Sequence, residues 1–346
     1  MNSRERVLAT LQHRPADRMP VYGWTQANLE PPIRTAFGSL DAFEDHYEFD
    51  LVHLFGGPYP HPARVTRPVE GADPSILPAD YLDVPLNDPN DHAAYQALAA
   101  QIAHHQGRRG RFVYVQTPGI FECLNDVFGL QNHLLYLSLY PDALQQVYRR
   151  QAEWNRAFAM NCLDLGVDMI HVSDDWGGQT RILFNPRLWW NLIYPNHAVT
   201  CQAVRARGAP LSLHSDGNIQ AVIDGLIQLG YQVVHPWQES AGMSLADYKA
   251  RYSQHFTVMG GLDVQTTIGF GKLDFLQREI ERVIGLFPDG GLIFCTSHFI
   301  QEHCTIEELI AAFDLVYRLV HKQDPPPLPA GASRRAATPR GATLPG

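Results

Sequence analysis

Eight short apolar runs punctuate this chain, and most end in polar side chains able to do chemistry. The first four are MPVYGW (19–24), DLVHLF (50–55), FVYVQT (112–117) and MIHVSDD (169–175). The second four are LSLHSD (211–216), VVHPWQE (233–239), VMGGLD (258–263) and LIFCTSH (292–298). Short runs rich in β-branched and aromatic residues are how strands buried on both faces read. Most are followed by a stretch with helical spacing of apolar positions. Eight such strand–helix units predict an α/β fold, a single-domain (β/α)8 TIM barrel over residues 1–323, with its site at the strand carboxyl ends. Those ends hold Asp174, Asp175, His214, Asp216, Glu239, Asp263 and His298.

The segments between the runs refine this picture. Asn2 and Ser3, followed by Glu5, Val7, Leu8 and Leu11, predict a capped amphipathic helix ahead of the first strand. Residues 56–91 are rich in Pro, Gly and Asp without periodicity, which predicts a long loop over the barrel mouth. Residues 142–165 carry a long helical pattern, and Pro186 opens another helix at a position where proline is tolerated. From Asp324 the chain has almost nothing to bury, so 324–346 is expected to be a disordered Pro-rich tail.

Composition narrows the function classes. A hydrophobic content of 45% with 18% charged residues describes a folded chain with a large core. The formal net charge of −9 offers no bulk attraction to nucleic acid or to an acidic membrane, so a small-molecule substrate is the expected partner. Five scattered cysteines without CxxC spacing, no signal-like leader and no apolar run near 18 residues point to a reduced cytoplasmic protein. A homodimer stays open.

The chemistry concentrates in three places. In His214-Ser215-Asp216, residues i and i+2 share a strand face, so imidazole and carboxylate point the same way. With Glu239 and His298 they make a four-residue set competent for zinc or another divalent metal. A polar substrate site without metal is the alternative, with Asn218 capping the next helix. Cys295 has the opposite strand parity to His298. In Asp174-Asp175-Trp176-Gly177-Gly178-Gln179 the two aspartates point to opposite faces, so one faces the pocket as a catalytic group and the other holds a loop. Trp176 and Gln179, with Trp24 and Trp237 on other strand ends, are candidate substrate contacts; packing beneath a helix is the other reading of Trp176. Asp263, after Gly260-Gly261, either orients a ligand or caps a helix. His104, His105, His133 and His197 fall in helical segments and read as surface or packing residues.

These blocks resemble the uroporphyrinogen decarboxylase superfamily, which also contains zinc- and corrinoid-dependent methyltransferases. The resemblance runs from Asn2 to His321. It rests on NSRERVLATLQHRPADRMPV (2–21), SDDWGGQ (173–179), HSDGNI (214–219), GGLD (260–263) and TSHFIQ (296–301). The decarboxylase branch holds its tetrapyrrole through an arginine segment, RQAGR, which here reads Thr25-Gln26-Ala27-Asn28-Leu29. Its Ser-Asp pair falls near Gly56-Gly57. The methyltransferase branch binds zinc through His-x-Cys and a later cysteine; here those places read His214-Ser215-Asp216 and His298. The resemblance therefore implies a corrinoid-linked, metal-assisted methyltransferase or demethylase acting on a small substrate, with the corrinoid presented by a partner protein. A decarboxylase of a small acid or tetrapyrrole-type substrate is the second reading. A non-catalytic corrinoid or tetrapyrrole binder is the third.

Overall fold

The computed structural model describes residues 1–25, 28–66 and 76–329. Among the described residues, seven strands form one sheet: β1 (Leu51–Leu54), β2 (Phe112–Pro118), β3 (Met169–Ser173), β4 (Leu211–His214), β5 (Val233–His235), β6 (Thr257–Leu262) and β7 (Leu292–Thr296). They pair in chain order and every pairing is parallel. Parallel neighbours need crossover connections, and the helices that supply them cover the outer face. Strand residues are buried nearly throughout, which explains why seven of the runs read as continuous apolar stretches.

The first run, Met19–Trp24, does not form a strand. It makes a single parallel bridge, Val21 to Phe294. Pro20 has no N–H to donate to a ladder, which limits pairing here. Its carbonyl accepts from Phe294 N and Tyr22 N donates to Phe294 O, both at 2.9 Å, while Asp50 N donates to Val21 O at 2.8 Å. The segment is thus bonded to β7 and to the residue that precedes β1.

The N-terminal block earns its charges structurally. The helix Ser3–Leu11 starts on a capping box between Asn2 and Glu5. Arg6 from this helix and Arg18 from the following loop each meet the fully buried Asp50 carboxylate at 2.6 Å. Asp50 Oδ2 also accepts from Val21 N at 2.9 Å, so one carboxylate ties helix, first run and β1 together.

The expected long helix is present as Pro141–Asp164. Pro186 occupies the first turn of a helical stretch that continues through Trp189–Ile193 to Ala206, with Asn185 as its cap. Residues 56–66 and 76–91 hold only short helical turns, as the loop reading anticipates. Packing continues past the expected boundary at 323: Pro325 is buried and Leu328 rests against the core. The tail from 330 onward lies outside the described residues. Among the described residues, no helix is long and apolar enough to cross a membrane.

Candidate metal centre and its cavity

Sheet register assembles the site. Ser173, His214 and His235 are direct neighbours across β3, β4 and β5, all at carboxyl ends. His235 Nε2 lies 2.9 Å from the Thr296 carbonyl oxygen, which can only accept, so Nε2 carries the proton. Burial holds His235 neutral, leaving Nδ1 as a bare lone pair. That lone pair lies 2.8 Å from Nδ1 of His214, which must therefore donate. The consequence is that His214 presents an unprotonated Nε2 to the mouth. Burial lowers its pKa to about 3, so it stays a lone pair at neutral pH.

Two carboxylates face that lone pair. Asp175 Oδ1 lies 3.7 Å and Asp216 Oδ1 3.8 Å from His214 Nε2. His298 Nε2 lies 3.9 Å from the other Asp216 oxygen. His214, Asp216 and His298 form a group whose ligand atoms all lie within 4.8 Å of one another. No Arg or Lys among the described residues pairs with Asp175 or Asp216. Burial, reinforced by Asp175 and Asp263, raises Asp216 to about 7; burial raises Asp175 as well. Acceptors facing acceptors require a proton or a metal cation between them.

These residues fit a divalent ion. Ligands about 2.0–2.2 Å from a tetrahedral ion lie about 3.4 Å apart. The two imidazoles approach the Asp216 carboxylate at 3.8 and 3.9 Å, each at a different oxygen, and one ligand atom from each residue lies within 4.8 Å of the others. A ligand histidine whose far nitrogen donates to a fixed acceptor is the usual supporting arrangement, and His235 provides it. The floor is aromatic. Trp24 packs on His235 (4.4 Å between centroids), His214 (5.1 Å) and Phe299 (4.9 Å), while its Nε1 donates to Tyr114 Oη at 2.8 Å.

Two loops carry the carboxylates and interlock. Asp216 N donates to Asp175 Oδ1 at 2.8 Å, Trp176 N to Ser215 Oγ at 3.1 Å, and Asn218 N to Gly178 O at 2.8 Å. Gly177 permits this approach: a Cβ there would lie 2.2 Å from Asp216 O.

Several expected site residues go elsewhere. Glu239 does not join the metal set; it begins a short turn, accepts from Leu245 N at 3.0 Å and pairs with Arg282. Asp174, the partner of Asp175 on the opposite strand face, accepts from the backbone N–H groups of Ile120, Phe121 and Glu122 and bonds His197 Nε2 at 2.7 Å. It is the loop-holding member of the pair. Asp263 caps its own turn through Gln265 N at 2.7 Å. Trp176 is fully buried against Trp189 and His197, so it packs rather than lines a wall. Trp237 packs on Tyr248 and donates to Ser244 O. Gln179 is exposed and meets Gln265 at 3.4 Å. His133 and His197 are packing residues, and His104 pairs with Asp41 near the surface.

Sequence reasoning passed over Glu122 and three of the four inner histidines, His53, His171 and His235. His53, His171, His214 and His235 are all buried, one on each of four strands. The recurrence of one histidine in five of the eight runs, His298 being the fifth, was the available signal. Glu122 lies beyond the run that ends at Thr117. Its carboxylate accepts from Ser173 Oγ at 2.8 Å, and burial with the charges of Asp175 and Asp174 lifts it to about 8. Glu122 and Ser173 also line a cavity of about 360 Å³. Phe55 and Tyr59, in the segment after β1, and Phe158, on the helix Pro141–Asp164, also line it.

A family model for uroporphyrinogen decarboxylase matches residues 74–319. The chain belongs to the uroporphyrinogen decarboxylase family. Among solved structures, this family member is similar to a methyltransferase from Methanosarcina mazei, with a TM-score of 0.69 and 16% identity. That alignment covers 91% of this chain and 98% of the other, and the likeness is one of fold. A GH113 beta-1,4-mannanase aligns over 88% of this chain and 99% of its own, with 10% identity and a TM-score of 0.48, too loose to carry an argument. No curated protein matches. Within the uroporphyrinogen decarboxylase family the aspartate at 216 and the histidine at 298 are a harder donor set than thiolates, still suited to a divalent metal.

Proposed function

We propose that this protein is a metal-assisted methyltransferase or demethylase, moving a methyl group between a small substrate in the 360 Å³ cavity and a corrinoid presented by a partner protein. The observation that carries the reading is the Nε2 lone pair of His214, fixed by His235 and facing Asp175 and Asp216. His214, Asp216 and His298 would hold the ion, with Asp175 as a further ligand or as the group that orients Asp216. A bound divalent ion supplies Lewis acidity to a substrate heteroatom. Trp24 closes the floor beneath the imidazoles and keeps water from that side. Glu122, at the border between cluster and cavity, holds or releases a proton at the substrate near neutral pH. Among the described residues that line the cavity none is basic, which disfavours a decarboxylase reading built on a polycarboxylate substrate.

The test combines metal analysis with turnover. Purified protein is expected to retain close to one divalent ion per chain, and His214→Ala and His298→Ala to lose it. With reduced cobalamin and a candidate methyl donor, formation of methylcobalamin is expected in the wild type only. Wild type that retains no metal and gains no thermal stability from added zinc would overturn the metal assignment. Metal-loaded protein that leaves the corrinoid spectrum unchanged across donor classes would overturn the methyl-transfer assignment.

A further inference from the structure

The cavity beside the cluster has a composition that selects its ligand. Its two charged side chains are both carboxylates: Glu122 next to Ser173, and Asp126 on the solvent side, where Tyr59 Oη donates to it at 2.5 Å. Phe55, Tyr59 and Phe158 supply aromatic lining to the same cavity, and Gln116 adds a neutral amide. No arginine or lysine lines it among the described residues. Arg150, behind Tyr81, spends its guanidinium on the carbonyls of Tyr81 and Leu82. The volume sits at the small end of the range for small-molecule sites, about 300–1,000 Å³.

An anionic ligand would meet two carboxylates with no counter-charge in this lining. A neutral ligand would leave Glu122 protonated and draw nothing from the charge of either carboxyl group. A cationic nitrogen answers both, because aromatic faces attract it and the carboxylates neutralise it. The apolar walls suit the methyl groups of an alkylated amine better than a strongly hydrated primary ammonium.

We propose that the substrate is a small alkylated amine, of the tertiary or quaternary ammonium class, with its cationic nitrogen between Phe55, Tyr59 and Phe158 and its other end toward Glu122. This deepens the proposed function, since it takes the cavity to be the substrate site, but ligand class and methyl transfer are read by separate measurements.

The experiment is calorimetric titration of the full chain, both zinc-loaded and stripped with chelator, with choline and with its uncharged carbon isostere dimethylbutanol. Choline is expected to bind saturably in both forms, at least about tenfold more tightly than the isostere, the factor that one desolvated cation–π contact provides. Glu122→Gln and Asp126→Asn are each expected to weaken choline several-fold and to leave the isostere unchanged. Asp126 is exposed, so its variant keeps the test alive if Glu122→Gln fails to fold. Equal binding of choline and isostere, or no saturable binding of choline, would overturn the proposal. Choline binding without methyl transfer would support the ligand class while counting against the enzymatic reading.

Discussion

The two imidazoles of His214 and His235 meet nitrogen to nitrogen, Nδ1 to Nδ1, at 2.8 Å, so a single proton sits between them. Because His235 is anchored on the Thr296 carbonyl, that proton belongs to His214, and the direction of the whole relay is set from β7. Replacing His235 by phenylalanine removes the acceptor and frees His214 to exchange tautomers. Zinc affinity is expected to fall about 10–100-fold, the usual cost of losing the partner that orients a ligand histidine. Competition titration against a chromophoric chelator reads this directly. Wild-type affinity in His235→Phe would show that the relay does not orient the ligand.

The Asp175 and Asp216 loops depend on each other through Gly177. A methyl group there would collide with Asp216 O and with the backbone of Gly217 and Asn218, none of which can rotate away. Gly177→Ala is expected to separate the loops, lose the bond from Asp216 N to Asp175 Oδ1, and with it metal binding, while far-UV circular dichroism stays native. Gly178 is the control: its added Cβ would lie 3.1 Å from Arg181 O, and Gly178→Ala is expected to bind metal within a few-fold of wild type. Equal effects at the two positions would show that the loops are not coupled in this way.

Most of the fold was legible because parallel strands advertise themselves as short apolar runs, and seven of eight became strands. The exception, Met19–Trp24, reads like the others in hydrophobicity; its proline restricts the ladder, which periodicity does not register. The site was half legible for a similar reason. Strand parity correctly placed His214 and Asp216 together, and split Asp174 from Asp175, because alternation is a local property. Glu239 misled because chain direction changes after β5: Trp237 adopts a positive φ of 54° and the following turn carries Glu239 toward Arg282. Glu122 was invisible because its place at the cavity is fixed by Asp174 gripping the backbone of residues 120–122, a long-range contact with no sequence period.

Asp50 gives the resemblance block its physical meaning. Two guanidinium groups and one backbone N–H converge on a carboxylate with no solvent exposure. Asp50→Asn keeps the shape but leaves Arg6 and Arg18 partly uncompensated. Removing one partner of a buried ionic set costs about 3–5 kcal/mol. Urea unfolding is expected to shift by that amount, with zinc affinity of the folded fraction unchanged because the cluster lies at the opposite strand ends. A shift below about 1 kcal/mol, the value of an exposed pair, would show that the network is solvated in practice.

Acid sensitivity follows from histidines that must stay neutral. His133, bonded to Asn125 and Tyr148, is lowered to about 3 by burial, and His61, between Tyr81 and Cys123, to about 4 by burial and the Arg150 charge. Burial lowers His53 and His171 as well. Their folded values lie below the unfolded value of 6.5, so below that pH the unfolded chain binds more protons than the folded one. Stability contributed by these groups is therefore complete above about 6.5 and is lost as pH falls toward 3–4. Each histidine adds a slope of about 1.4 kcal/mol per pH unit once the pH is well below 6.5. Metal-free protein unfolded by urea at a series of pH values from 7.5 to about 5 is expected to show the summed histidine slope reduced by Glu122 and Asp216, whose raised folded values make the folded chain take up protons first and so oppose it. His133→Phe is expected to reduce it by one proton, whatever the substitution does to stability at neutral pH. An unchanged slope in that variant would mean that His133 takes up its proton in the folded state as easily as in the unfolded chain.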